Sequence, residues 1–375
     1  MPLTITFHSL SPWGERKHRD EVTTAASLWV LAQRCSMFMS IELIQLAHGS
    51  GGSATLRLFE QVFLPHFRDL GLQPDNDAAL LSLGNDTTLA FTIDGFVVDP
   101  PFFPGGDLGI LAINGTGNDL AVMGAKPLWM ACSFIISAGT ATATLERVVE
   151  SMEHAAKVFS VQLVAGDTKV VESKGAAPQI LITTAGLGIL EVKEPWHVQR
   201  IRPGDELILS GTIGEHTLAV LGARHGWFER DPVTSDCAFL YPMLRKLHSI
   251  PGIHWARDVT RGGLGGIVNE LAKASGYGIE LYEKGIPISD LVASWCEMMG
   301  YDPLHLANEG KVLLSVDPEA SPRVLAALQN TPLGKNAAPI GHVMDGGPPL
   351  VVLNTAIGGR RLVPAPSGEL FPRIC

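Results

Sequence analysis

Residues 142–159 carry the strongest helical pattern in the chain. Apolar side chains recur there at 3.6-residue spacing and so share one helix face: Leu145, Val148, Val149, Met152, Ala155, Ala156 and Phe159. Apolar runs typical of strands lie on both sides of this segment, at 129–136 and 161–165. An alternation of strands and helices of this kind predicts an α/β or α+β layer domain.

The first half of the chain extends this alternation. Further strands are predicted at 41–47, 89–98 and 179–189, and an apolar helix rich in Gly and Ala should run from after Asp107 to about Met123. The strand at 161–165 runs directly into Gly166-Asp167-Thr168-Lys169.

A second half begins after the turn-like Arg202-Pro203-Gly204-Asp205. Its predicted elements are a strand from 206, a helix at 215–223, a helix at 264–275, a strand at 278–282, a helix at 289–299, a strand at 311–316, a helix at 320–329, and strands at 339–344 and 350–353. The fold class we predict is α/β plus α+β, with one domain at 37–200, a second at 201–355 and a flexible tail at 356–375.

Composition narrows the function classes. The chain has 375 residues, 46% hydrophobic and 18% charged, which suits two domains with proper cores. Its net charge is -10 and no Lys/Arg cluster stands out, so nucleic acid is not expected as a partner. The five cysteines are far apart and form no CxxC, which favours a reducing cytoplasm.

The first 36 residues differ from the rest. The segment 23–32 weakly mimics a signal peptide, but it lacks a convincing cleavage site and Gln33-Arg34 interrupts it before it could span a bilayer. We predict that residues 1–36 are a disordered or mis-assigned leader and that the working chain starts near Met37 or Met39.

The chain ends in a cysteine, Cys375, after a stretch that contains Pro364, Pro366 and Pro372. A proline-rich stretch cannot build a core and should be extended. Thiolate is the nucleophilic form of cysteine, and a terminal thiol can enter a pocket and withdraw. Position alone leaves open whether Cys375 acts or is incidental.

Several segments pair glycine with carboxylate or amide residues. They are His48-Gly49-Ser50-Gly51-Gly52, Asp94-Gly95, Gly117-Asn118-Asp119, Gly166-Asp167-Thr168-Lys169 and Asn308-Glu309-Gly310-Lys311, with Asp77 beside them. Glycine lets backbone N–H groups approach phosphate, and carboxylates hold Mg²⁺. Together they suggest Mg-ATP, without a Walker A or protein-kinase motif. Each segment alone is equally typical of ordinary turns and caps.

The combined motifs resemble the HypE family of hydrogenase maturation proteins, within the aminoimidazole ribonucleotide synthase superfamily. The matching segments cover about residue 41 to 375: LAHGSGG (46–52), DPPFFPGGDLG (99–109), GTGNDLAVMGA (115–125), GDTKVV (166–171), SDCA (235–238), RDVTRGG (257–263), DPLHLANEGK (302–311) and PRIC (372–375). Ser137-Ala138 depart from the pair of glutamates that is usual in this family.

This resemblance implies a fold, an activity and partners. The fold would be a two-domain synthase type that dimerises through its first domain. The carbamoyltransferase HypF would load Cys375 with a carbamoyl group, and ATP-dependent dehydration would turn it into S-cyanate. The HypC–HypD complex would then receive cyanide for the iron of [NiFe]-hydrogenase.

Roles for individual residues follow from the chemistry and the resemblance together. As catalytic groups we predict Cys375, Lys169 as the cation beside the carboxamide oxygen or γ-phosphate, and Glu309 as the base or orienting residue. The predicted Mg²⁺ ligands are Asp77, Asp94, Asp119 and Asp167. The predicted nucleotide-binding residues are His48, Gly49, Gly51, Gly52, Asp94, Asn118, Asp119, Thr168, Arg261, Gly262 and Gly263.

Three alternatives remain at this point, and one of them is a degenerate paralogue, for which the departure at Ser137-Ala138 is the only hint. Another ATP-dependent member of the superfamily, such as a selenophosphate synthetase, would carry a reactive Cys near its first glycine loop, and HGSGG has none. A non-catalytic carrier would use Cys375 to hold iron or a partner thiol, with ATP in a regulatory role only.

Overall fold

The computed structural model describes residues 41–49, 51–73, 76–173, 179–227 and 232–366. The chain divides into a small unit, Met1–Ile44, and a large one, Gln45–Cys375, which holds every element below. The predicted strand at 41–47 is wrong, because residues 41–45 are irregular and Leu46–Gly49 form a single 3-10 turn. The leader 1–36 lies outside the described residues.

The first half forms a five-stranded sheet with the order β1-β2-β7-β5-β6. Its strands are β1 (Ala79–Gly84), β2 (Thr87–Phe96), β5 (Ala125–Ser137), β6 (Gln162–Val171) and β7 (Ile180–Leu190), and a small hairpin holds β3 (Phe102–Phe103) and β4 (Gly106–Asp107). The β5–β6 pair is parallel and the other pairs are antiparallel. A parallel pair needs a long crossover, and a helix supplies it here.

Nine α-helices accompany the strands in the described part of the chain. They are α1 (Ser53–Leu58), α2 (Leu64–Phe67), α3 (Leu108–Val122), α4 (Thr142–Phe159), α5 (Glu215–His225), α6 (Tyr241–Leu244), α7 (Gly263–Ser275), α8 (Asp290–Met299) and α9 (Ser321–Gln329). A π turn at Phe59–Phe63 joins α1 to α2, and 3-10 turns lie at Arg68–Leu70, Val198–Arg200, Arg245–Leu247, Glu283–Gly285 and Pro303–His305.

Helix α3 is buried almost all round between the first sheet, α4 and the second half of the chain. Asp107 begins it as an N-cap, because its Oδ1 accepts from the backbone N–H groups of Gly109 and Ile110 at 2.7 and 2.9 Å. Helix α4 spans Thr142–Phe159, as its periodicity predicts, and buries Val148 and Met152 against α3.

We expect Gly109→Ala to destabilise the protein strongly. A Cβ at Gly109 would lie 2.2 Å from the backbone oxygen of Val148, so α3 and α4 would have to separate. Overpacking of this kind typically costs about 1–3 kcal/mol. Thermal unfolding should show a lower Tm, and Gly49→Ala is the control because a Cβ there meets nothing within 4 Å. Equal melting temperatures would contradict the tight α3–α4 contact.

The second half forms a seven-stranded sheet with the order β14-β13-β10-β12-β8-β11-β9. Its strands are β8 (Glu206–Leu209), β9 (Ile253–Asp258), β10 (Ile279–Tyr282), β11 (Val312–Val316), β12 (Ala338–Val343), β13 (Val351–Asn354) and β14 (Arg360–Leu362). Every helix and strand predicted for this half is present within one or two residues. The elements that were not predicted are β1, the β3–β4 hairpin, β9, β14, α6 and the helices between Ser53 and Leu70.

One continuous core joins the two halves. Leu111 of α3, Ile182 of β7 and Leu314 of β11 belong to the same cluster of buried apolar residues. The polar segments that follow β9 and precede β11 are therefore held against α3 and the first sheet. Within the described ranges, no helix is both long and apolar enough to cross a lipid bilayer.

Candidate active site

A cavity of about 210 Å³ lies where the two halves meet, and most of the residues that line it are polar or charged. Its acidic lining residues are Asp77, Asp94, Asp119, Asp258 and Glu309. One carboxylate oxygen from each of Asp77, Asp119 and Asp258 lies within 4.8 Å of the other two. Convergent carboxylates at this spacing are a suitable ligand set for a hard divalent cation.

The acidic groups come from separate parts of the chain. Asp77 precedes β1, Asp94 lies on β2 and Asp119 lies on α3. Asp258 ends β9, and Glu309 precedes β11, the strand that pairs with β9. Because β9 and β11 are antiparallel neighbours, the end of one strand and the start of the next meet at the same edge of the sheet.

Burial makes this cluster electrostatically unfavourable. Desolvation, with repulsion from neighbouring carboxylates, raises the pKa of Asp119, Asp258 and Glu309 well above their usual range. Desolvation likewise raises the pKa of Asp77 to about 6, although nearby Arg257 opposes it. The cluster therefore favours either protons or a cation.

Two arginines border the cavity. The Nε of Arg257 lies 2.9 Å from Asp77, and its Nη2 lies 3.2 Å from Glu270. Arg261 Nη2 lies 3.7 Å from Asp94. Desolvation raises the pKa of Asp94, and Arg261 lowers it. The cavity lining thus contains five carboxyl groups and two guanidinium groups. A positively charged ligand or metal ion would offset part of this excess of acidic groups.

Thr92 connects two of the acidic residues. Its hydroxyl oxygen lies 2.9 Å from the backbone oxygen of Asp77 and 2.9 Å from Oδ2 of Asp119. The hydroxyl has one proton to donate, so both contacts are hydrogen bonds at once only when Asp119 is protonated and donates to the hydroxyl oxygen.

The glycine segment packs beside this cavity. Gly51 has φ +70°, and a Cβ there would lie 2.8 Å from the Cβ of Arg261. A Cβ on Gly52 would lie 2.5 Å from the backbone oxygen of Pro366. Glycine is therefore required at both positions by close approach, whatever else the loop binds.

The start of the C-terminal tail is held at the same place. Asn269 Nδ2 donates to the backbone oxygen of Val363 at 3.1 Å, and His305 Nε2 lies 3.3 Å from that of Pro364. Ser53 N donates to the backbone oxygen of Pro366 at 2.9 Å. Pro366 is the last described residue, so the predicted nucleophile Cys375 lies outside the described residues.

The structure brings five of the predicted residues together: Asp77, Asp94, Asp119, Arg261 and Glu309 line one cavity. Gly262 and Gly263 begin α7 immediately after Arg261, with φ values of +78° and +62°. His48 and Gly49 lie in the short turn before the glycine pair, where His48 Nδ1 accepts from Gln45 N at 2.9 Å.

Other predicted residues lie elsewhere. Asp167, Thr168 and Lys169 are exposed on β6, an edge strand, and not in a loop after it. Lys169 Nζ lies 2.7 Å from Asp167 and lowers the pKa of that carboxyl. Asn118 is buried on α3, where its amide donates to Ala238 O at 3.0 Å and accepts from Leu240 N at 2.8 Å. Its polar atoms are therefore used in holding a loop.

Sequence analysis missed Asp258, the third member of the acidic triad. Asp258 lies inside the RDVTRGG motif, of which only Arg261, Gly262 and Gly263 were predicted to bind a ligand. No strand was predicted before Asp258, and the signal that could have found it is the apolar alternation of Ile253 and Trp255 just ahead of this acidic residue. Thr92 and Asn76 also line the cavity and carried no signal beyond ordinary polar character.

The fold and the site define a class first. The family described as AIR synthase related protein, N-terminal domain, matches residues 75–190, and its C-terminal counterpart matches residues 202–353. The chain therefore has the two-domain aminoimidazole ribonucleotide synthase-like fold, α/β followed by α+β. A structure of AaThiL complexed with AMPPCP and TMP, 19% identical with a TM-score of 0.61, shares this fold.

The nearer relatives are hydrogenase maturation proteins. The carbamoyl dehydratase HypE of Escherichia coli is 43% identical over 336 residues, 88% of this chain and 99% of that protein. A crystal structure of a HypE–HypF complex matches with a TM-score of 0.77 and 42% identity, over 82% of this chain and 99% of that one. A HypE structure in complex with ATP matches with a TM-score of 0.73 and 41% identity, over 89% of this chain and 100% of that one. This chain belongs to the HypE family of carbamoyl dehydratases.

Proposed function

We propose that this protein uses ATP to dehydrate an S-carbamoyl group on Cys375 to S-cyanate, which supplies cyanide for the iron of [NiFe]-hydrogenase. The observation that carries the proposal is the juxtaposition of the acidic cavity with the start of the tail. Pro366 contacts Gly52, and Gly51 contacts Arg261, which lines the cavity.

The tail is long enough for this chemistry. Cys375 is the ninth residue after Pro366. A fully extended segment of that length spans about 30 Å. Because the segment begins at Pro366, close to Arg261 and the cavity, the Cys375 thiol can either enter the cavity or extend away from it. Loading by a partner and reaction inside the cavity need both positions.

The chemistry requires an activated oxygen and a proton acceptor. A carboxamide oxygen is a very poor leaving group, and transfer of a phosphoryl group from ATP makes it a good one. Loss of protons from the nitrogen then expels phosphate and forms the nitrile. Glu309, buried in the cavity with a raised pKa, is the acceptor we propose, because a base works best when its pKa is near the ambient pH.

Asp77, Asp119 and Asp258 would hold Mg²⁺. The ion would neutralise charge on the triphosphate oxygens. The donor set fits, because one buried and two half-buried carboxylates converge there, and only Asp77 of the three has a close ion pair among the contacts described, with Arg257. Arg261, which is half exposed at the cavity edge, is placed to contact a phosphate or the carboxamide oxygen.

A homodimer would bring Lys169 into use. Strand β6 is exposed along its whole length at the edge of the first sheet, with apolar Val164 and Val170 61% and 68% exposed. The sheet face away from α3 also exposes Phe91, Ile93 and Trp129. An uncovered apolar sheet with a free edge is typical of an interface. We propose that Asp167, Thr168 and Lys169 act at a site shared between two subunits.

A structure of a relative supports one of the proposed partners, and the proposed chemistry suggests the other. A HypE–HypF complex has been crystallised, and we propose HypF as the carbamoyl donor. The HypC–HypD complex is the proposed acceptor of the cyanide. A free thiolate at Cys375 would require a reducing compartment, so we propose the cytoplasm as the site of action.

Intact-protein mass spectrometry tests the proposed function. The protein is incubated with HypF, carbamoyl phosphate and ATP, and compared with Cys375→Ser. We expect a carbamoyl mass gain on the C-terminal peptide, then loss of one water only when hydrolysable ATP is present. ATP consumption without modification of that peptide would favour a superfamily relative with a small-molecule substrate. Carbamoylation without loss of water would favour a non-catalytic carrier.

A further inference from the structure

We propose that Asp236 is a positioning residue that fixes Glu309 relative to Asp119, through a clamp on the backbone of residues 309–311. This inference rests on the proposed function, because it explains how the proposed base is held. It also gives a role to the SDCA segment (235–238), to which the proposed chemistry assigns none.

Asp236 receives three donors from the segment that carries Glu309. Its Oδ1 accepts from Glu309 N at 3.0 Å, and its Oδ2 accepts from Gly310 N at 3.2 Å and from Lys311 Nζ at 3.0 Å. The carboxylate is 4% exposed and the Lys311 side chain 11%. A carboxylate that accepts three donors away from water determines the position of all three.

The backbone of the same loop also contacts this segment. Ala238 N donates to the backbone oxygen of Glu309 at 3.2 Å. A Cβ on Gly310 would lie only 1.9 Å from the backbone oxygen of Asp236, so the two segments are as close as backbone can come. The Cα of Glu309 is therefore fixed, and only its side-chain torsions remain free.

The loop that carries Asp236 is anchored to the helix that carries Asp119. Asn118, next to Asp119 on α3, bonds to Ala238 O and Leu240 N. A Cβ on Gly117 would lie 2.2 Å from the ring of Phe239. The loop 235–240 thus connects a carboxylate of the acidic triad on one side to Glu309 on the other.

This connection has a chemical purpose. A base must lie within hydrogen-bond reach of the proton that it accepts, and a misplacement of about 1 Å can cost about 100-fold in rate. Asp119 and Glu309 belong to different halves of the chain, which share a core but need a polar connection to fix these two side chains relative to each other. Asn118 joins α3 to the loop 235–240, and Asp236 joins that loop to Glu309.

The test is a double-mutant cycle on single-turnover dehydration of the carbamoylated tail. Asp236→Asn replaces one of the two carboxylate oxygens with an N–H₂ group. The side chain then has a single oxygen to accept the three hydrogen bonds, and its N–H₂ group faces another donor. We expect a rate about 10–100-fold lower, with ATP affinity changed less than about threefold. In a Glu309→Gln background the same substitution should cost nothing further, since its effect passes through Glu309.

Asp302→Asn is the matched control. Like Asp236, the Asp302 carboxylate accepts hydrogen bonds from a backbone N–H and from a cationic side chain: Leu304 N at 3.0 Å and Arg361 Nη2 at 2.7 Å. Unlike the segment that Asp236 holds, it contributes nothing to the cavity lining. We expect this variant to keep the parent rate. If Asp236→Asn fails to fold, Asp236→Glu gives the same cycle, because it keeps a negative charge near Lys311 but misplaces the oxygens.

The outcomes separate two failures. A parent-like rate for both Asp236 variants, or an equal further loss in the Glu309→Gln background, would overturn the positioning role and leave the proposed function intact. No dehydration by the unsubstituted protein, or a normal rate for Glu309→Gln, would overturn the proposed chemistry itself.

Discussion

Glu309→Gln should lower the rate of tail dehydration by at least about 100-fold, because general-base catalysis contributes roughly 10²–10⁴-fold. The substitution keeps the shape of the side chain and the backbone contacts to Asp236. It removes the only cavity carboxylate that we assign to proton transfer and not to the metal ion. ATP binding should persist, since the acidic triad is unchanged.

To measure this effect, mass spectrometry monitors the loss of water from the carbamoylated C-terminal peptide during a single turnover. Glu153→Gln is a suitable control, because Glu153 is exposed on α4 and pairs only with Lys157 among the contacts described. Near-normal dehydration by Glu309→Gln would remove Glu309 from the mechanism.

Lys169→Ala extends the same experiment to the proposed shared site. Lys169 lies on the exposed edge strand β6 and not in the cavity lining of its own chain. If each site takes Lys169 from one subunit and Glu309 from the other, each variant alone should be inactive. Mixed dimers of Glu309→Gln with Lys169→Ala should regain activity at the one site that has both residues. No recovery on mixing would contradict a shared site.

Asp258→Asn should abolish Mg²⁺-dependent ATP binding and yet stabilise the metal-free protein at neutral pH. The amide removes one of three converging carboxylates, so the metal site loses a ligand and a charge. Without a metal ion, the same substitution relieves repulsion among buried carboxylates. We expect a gain of about 2 kcal/mol in the free energy of unfolding at pH 8.

The pH dependence follows from the direction of the shifts. Burial in the folded protein raises the pKa of Asp77 from 3.8 to about 6, and it also raises the pKa of Asp119 and of Asp258 well above their usual range. Between the unfolded and folded values the native state binds more protons, so stability falls as pH rises. In this pH range the free energy of unfolding falls by about 1.4 kcal/mol per pH unit for each carboxyl group that is ionised in the unfolded state but still protonated in the native state. Metal-free protein should therefore be more stable near pH 5 than near pH 8.

Urea titrations of metal-free protein at several pH values, with and without Mg²⁺, measure both effects. Asp345→Asn, at an exposed position, is the control and should change neither curve. A metal-free protein whose stability is flat between pH 5 and pH 8, or an Asp258→Asn variant that still binds Mg-ATP, would contradict the proposed metal site.

Secondary structure was predicted most accurately from the sequence where it depends on residues that are near neighbours along the chain. The helix predicted at 142–159 has those bounds, and the predicted β2, β5, β7 and α3 are present. The prediction erred at 41–47, where apolar residues with no strand partner form an irregular segment and a turn. It also stopped the strand before Asp167, although the parallel pairing with β5 carries β6 on to Val171.

The sequence by itself determined the local periodicity of the elements, the glycines required at close approaches, and the acidic and thiol groups available for chemistry. Those properties follow from the spacing and type of the side chains, which can be read directly from the sequence. Only the tertiary structure decided which carboxylates meet: Asp258 joins Asp77 and Asp119, while Asp167 stays on an exposed edge. That choice depends on strand order and on how α3 packs between two sheets, and residues far apart in sequence determine both.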